Sequence, residues 1–184
     1  MEFRLVYRGL LKSNGSKEEK QAIRRVLHPQ LAELWRREPL ARLRVDVLSP
    51  PADRPGALRR ELSQFVFLPL VGQAVGLVAE LDILFLRPQA PGYLVQHGGD
   101  IDNRIKTLLD ALRIPLAADE LPLGDAPRPD EEPFCALLED DALITRLAIT
   151  TDQLLLPAQP GEVLLVIHVT TKAVRAQWNN VDLS

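Results

Sequence analysis

Hydrophobic and polar positions run along this chain with two different periods. Leu43, Val45 and Val47 alternate with Arg42, Arg44 and Asp46, the two-residue period of a half-buried strand. Phe3 to Leu11 and Val78 to Leu86 read as strands, as do Ala142 to Thr150 and Val163 to Thr171. Two stretches switch to the helical period. After the turn signal Asn14-Gly15, Ser16 to Glu19 forms a capping box and opens a helix with Ala22, Ile23, Val26 and Leu27 as its apolar stripe. Pro29 should break or kink this helix near His28, with a second piece reaching Arg36. The clearest helix is Ile101 to Arg113, where Ile101, Ile105, Leu108, Leu109 and Leu112 share one stripe.

Between these elements, Ala57 to Gln64 suggests a short helix and Phe65 to Val71 an apolar extended segment. Arg87 to Gly99 carries the proline and glycine of a loop. Pro115 to Pro133 is proline-rich and holds Asp119, Glu120, Asp125, Asp130, Glu131 and Glu132 against Arg128 alone, so it reads as a mobile surface insertion. The order is strand, helix, strand, strand, helix, strand, strand. That order predicts a mixed α/β (α+β) domain spanning residues 1–184, with one small mixed sheet flanked by helices.

Composition narrows the class. A chain of 184 residues with 46% hydrophobic and 26% charged residues can bury a core without staples. Cys135 is the only cysteine, so no internal disulfide forms and a reducing, cytoplasmic setting is expected. No signal peptide is expected from the N-terminal residues, and no apolar run has the length of a membrane span. Net charge is −3 but uneven: residues 1–70 carry 14 Lys/Arg against 8 Asp/Glu, and the remainder carries 8 against 17. A basic half beside an acidic half suits phosphate attraction combined with metal-binding carboxylates, although a mixed surface is the plainer reading of charge alone.

The candidate chemistry lies in Gly99-Asp100-Ile101-Asp102-Asn103-Arg104-Ile105-Lys106, where a glycine-containing loop becomes a helix. Asp102 is placed to cap that helix, with Asp100 beside it at the positive end. Two close carboxylates repel unless a cation lies between them. Mg²⁺, or Mn²⁺ in its place, is the hard ion that takes oxygen ligands and bridges to phosphate. Lys106, one turn after Asp102, could offset charge on a transferred phosphate or simply pair with Asp102. Asp110 reads as structural. Glu139-Asp140-Asp141 precedes a strand and supplies further carboxylates; solvated acids at a strand start are the plainer alternative.

These residues resemble the signature of the RusA family of Holliday-junction resolvases: Asp-x-Asp-Asn-x-x-Lys running into a helix with Asp-Ala-Leu, then an Asp-Asp pair entering a strand. The resemblance implies a dimeric, Mg²⁺-dependent endonuclease that cuts four-way DNA junctions. It places the essential acids at Asp100, Asp102 and Asp141, the essential lysine at Lys106, and Asp140 as the neighbouring acid. It makes branched DNA and a second copy of the chain the expected partners. Two other readings stay open: a different Asp-x-Asp phosphohydrolase, and a non-catalytic module that binds nucleic acid or protein. His168 reads as a sheet histidine, and His28 and His97 lack partners at zinc spacing. Arg24, Arg25, Arg36, Arg37, Arg42, Arg44, Arg59 and Arg60 read as solvated charge and, if they share a face, as phosphate contacts. Trp35 and Trp178 read as core or interface.

Overall fold

The computed structural model describes residues 1–42, 58–89 and 101–174. The expected strand at Leu43 to Val47, most of the Arg87 to Gly99 loop, and Asp100, His97 and Trp178 lie outside the described residues.

Strand β1 (Glu2–Leu10) leads into α1 (Lys17–Leu34), whose capping box is complete. Ser16 accepts the Glu19 amide at 3.3 Å, and the Glu19 carboxylate accepts the Ser16 amide at 2.9 Å. The helix runs through Pro29 without ending, so of the expected break or kink the break does not occur. Contacts on both sides of the proline outweigh the lost backbone bond. Ile23, Leu27 and Leu31 are buried, and the Gln30 side chain donates to Val26 O one turn back while also bonding β1. The buried stripe is also rotated from the expected one. Ala22 and Val26 face solvent, whereas Gln21, Arg24 and His28 are inside.

A hairpin follows, β2 (Arg60–Leu62) and β3 (Phe65–Val71), joined by Ser63 and Gln64 with Ser63 at φ 53°. This corrects the helix expected over Ala57 to Gln64. The polar run there has no apolar stripe to hold a helix down, and pairing with the apolar β3 decides its conformation. β4 (Leu77–Arg87), α2 (Ile101–Leu112), β5 (Phe134–Leu138), β6 (Ile144–Gln153) and β7 (Glu162–Ala173) complete the described elements. A 3-10 turn, Asp141–Leu143, separates β5 from β6.

The mixed α/β class holds, but the strands form two sheets rather than one. The first has the order β1-β7-β4-β6 and the second β2-β3-β5. In the first, β7 runs antiparallel to both β1 and β4, and β6 runs parallel to β4. β4 and most of β7 bury every second residue, the mark of a sheet with one covered face. The second sheet is buried on both faces, so β3 and β5 are almost continuously inside. One of its faces joins α1, α2 and the inner face of the first sheet in the main core. Its other face packs Phe65, Phe67 and Phe134 with Ile114 and Leu121 in a smaller cluster. The three phenylalanine rings lie 5.4 to 5.7 Å apart.

The acidic segment is not the loose loop its composition suggests. Arg25 holds Glu131 at 3.0 Å and Asp125 at 2.8 Å, and Leu121 is part of the smaller cluster. The His28 ring sits between the segment and β5: Cys135 N donates to Nδ1 at 2.9 Å, so Nε2 carries the proton and donates to Asp130 O at 3.0 Å. Among the described residues, no helix is long and apolar enough to cross a membrane.

Candidate functional site

The first turns of α2 are held firmly although their charged side chains face outward. Arg104 donates to Leu11 O at 2.9 Å. Gly15 N donates to Thr107 Oγ1 at 2.9 Å, and Thr107 Oγ1 donates to Asn103 O at 3.0 Å. A Cβ on Gly15 would lie 2.5 Å from Thr107 Cγ2, so this docking of the β1–α1 loop on α2 requires glycine. Asp102 and Lys106 thus project from a fixed backbone, which is what a binding or catalytic group needs.

The helix begins at Ile101, so Asp102 lies within its first turn rather than at its cap. It is exposed, as is Lys106. The i,i+4 pair between them, the alternative role for Lys106, is absent, and among the described residues neither makes an ion pair. Asp100, the other acid of the motif, lies outside the described residues.

The opposite end of α2 is different. Asp110 binds Lys20 at 2.7 Å and Arg113 at 3.4 Å, which settles it as structural. Arg113 also binds Glu120 at 3.0 Å. Burial alone would lower the affinity of the Arg113 guanidinium for its proton, but the Glu120 hydrogen bond and the charges of Glu120, Asp110 and Asp141 outweigh it and raise the pKa. Arg24, 2% exposed, donates to Asp110 O at 2.7 Å and Arg113 O at 3.2 Å and so closes the C-terminal end of α2. Burial and the neighbouring Arg113 charge lower its pKa to about 10.

The acids after β5 divide by what they hold. Glu139 Oε2 accepts the Gln73 amide at 2.8 Å. Asp140 caps the following turn, its Oδ1 accepting the Ala142 amide at 2.8 Å. Asp141 is exposed and, among the described residues, makes no hydrogen bond or ion pair, and its charge helps to raise the pKa of Arg113. The turn that carries Asp141 touches α2 and β4. Asp102 and Arg113 stand at opposite ends of α2, about 16 Å apart along its axis. Among the described residues, no three His, Cys, Asp or Glu side chains lie close enough together to hold a metal ion.

The arginines singled out in the sequence are mostly engaged within the protein. Arg25 pairs with Asp125 and Glu131, Arg36 and Arg37 with Glu33, Arg42 with Glu38 and Arg59 with Glu61. Arg60 donates to Leu116 O, Arg24 is buried, and Arg44 lies outside the described residues. Glu80 pairs with Lys172 on the outer face of the first sheet, as its strand position suggested. His168 faces Glu2 from β7, and Trp35 is buried. Sequence reasoning overlooked Arg113. A cation in the last turn of a helix, three residues after Asp110, was the available signal.

Compared with protein-family models, with curated proteins and with solved structures, the chain matches none.

Proposed function

We propose that the chain is a Mg²⁺-dependent endonuclease acting on branched DNA, with Asp102, Lys106 and Asp141 as its working groups and Asp100 as the further acid of the motif. One observation carries this reading. Most charged side chains around α2 are engaged by partners, whereas Asp102, Lys106 and Asp141 are exposed and unpaired among the described residues. Carboxylates that fulfil no structural task are the donors a hard cation takes, and this chemistry supports the reading. Asp140 has one oxygen engaged as a cap and is the weaker candidate.

When bound, Mg²⁺ supplies Lewis-acid polarisation of the scissile phosphodiester. Lys106, held near Asp102 by the helix, offsets negative charge building on that phosphate. The test is cleavage of a synthetic four-way junction beside linear duplex and single-strand controls, with Mg²⁺ and with chelator. Paired, Mg²⁺-dependent nicks in the junction are expected. Cleavage of a small phosphomonoester with none of DNA would move the reading to another phosphohydrolase.

A second reading has its own observation. Five of the arginines that were candidates for phosphate contacts, Arg25, Arg36, Arg37, Arg42 and Arg59, pair with acids of the same chain, which favours a non-catalytic module that binds a partner on this fold. Junction binding without metal-dependent cleavage would support it.

A further inference from the structure

We propose that β6 is the seam of a two-fold dimer, pairing antiparallel with β6 of a second copy about an axis through Ile149. This inference does not rest on the nuclease reading. It begins from how the protein treats its sheet edges, since an open edge offers unpaired N–H and C=O groups to another chain. The free side of β1 is plugged at its middle, where Val6 N donates to Gln30 Oε1 at 2.9 Å and Val6 O accepts from Gln30 Nε2 at 2.7 Å. The free side of β5 is covered by Ile114 N, which donates to Leu138 O at 2.9 Å, and by His28. β2 is three residues long. β6 is ten residues long, and among the described residues its outward backbone groups are engaged only at the end, where Gln153 N donates to Asp152 Oδ1.

The orientation of that side follows from its end. Leu154 N donates to Arg87 O on β4. From Arg146 onward, beyond the register shift at Ala79/Glu80, the even-numbered residues bond β4 by strand alternation, and Leu147, Ile149 and Thr151 turn their backbone groups outward. An antiparallel partner exchanges hydrogen bonds between such residues. With the axis at Ile149, Ile149 meets its own copy and Leu147 meets Thr151, so the middle of the strand pairs with itself.

The charges select this register. Arg146 faces Asp152 of the second copy, and by symmetry Asp152 faces Arg146, one such pair near each end of the seam. Both residues are exposed, and among the described residues neither makes an ion pair within its own chain. Asp152 Oδ1 accepts the Gln153 amide at 2.7 Å and leaves its second oxygen for the partner. Moving the axis to Ala148 or Thr150 would set Arg146 against Thr150 or Leu154 instead. The seam also covers apolar surface: Leu147 is 39% exposed, whereas its neighbour Leu81 on β4 is fully buried. The result is one continuous sheet running through both copies.

The test is solution mass by sedimentation velocity across a dilution series. The wild-type chain should run at twice the 20.5 kDa of one chain. Arg146→Glu sets carboxylates against carboxylates at both ends of the seam and should weaken the dimer by about tenfold or more, as should Asp152→Lys. The double variant with both changes should recover the dimer, because the charges face each other again. Thermal melting of each variant reports whether the protomer itself is intact. A wild-type chain that stays at 20.5 kDa at high concentration overturns the proposal. So does a dimer whose affinity the single reversals leave unchanged, or one that the double reversal of intact protomers fails to restore.

Discussion

The two ends of α2 are built from the same kinds of residues and use them differently. At the C-terminal end, Asp110, Arg113, Lys20, Glu120 and the buried Arg24 form one network in which every charge has a partner. At the N-terminal end, Asp102 and Lys106 have no ion-pair partner among the described residues, though Arg104 and Thr107 fix the helix beneath them. Charges that stabilise a fold are consumed by it, and a charge left over on a rigid element is free to act on something else. On the proposed reading, the difference gives structure to one end and chemistry to the other.

The comparison breaks most sharply at the N-terminal end. Asp102→Asn should lower Mg²⁺-dependent cleavage by two orders of magnitude or more, roughly the loss seen when a group acting on developing charge is removed. Its melting temperature should stay within a degree or two of wild type, because no fold contact is lost. At the other end the signs reverse. Arg24→Met should cost about 2–3 kcal/mol, measured by urea denaturation, since the carbonyls of Asp110 and Arg113 lose a buried donor. Glu131→Ala should cost about 2 kcal/mol by leaving Arg25 without its buried partner, with faster amide exchange confined mainly to the acidic segment. The smallest effect belongs to Asp110→Asn, about 1 kcal/mol, because Lys20 and Arg113 both keep some access to solvent.

Periodicity and local chemistry carried much of this into the sequence. The Ser16 capping box, the α2 stripe and the alternation of β4 depend on residues within a few positions of one another, and each appears where its pattern placed it. What depended on distant partners was not legible. Pro29 stays inside α1 because Gln30 bonds β1, and the acidic segment is fixed because Arg25 lies about 100 residues before its carboxylates. β5, Phe-Cys-Ala-Leu-Leu, is a short apolar run buried on both faces and has no period to betray it. Near the site, the sequence could rank Asp141 above Asp140 only by resemblance. The structure adds a difference that the sequence did not carry: Asp140 caps a turn, whereas Asp141 makes no hydrogen bond or ion pair among the described residues.

The most direct measurement pairs the two ends in one experiment: junction cleavage and melting temperature of Asp102→Asn beside Asp110→Asn. Loss of cleavage with unchanged melting in the first, and lowered melting with cleavage retained in the second, is the predicted result. Full cleavage by the Asp102→Asn protein, or equal loss of cleavage in both, would contradict the division of labour along α2.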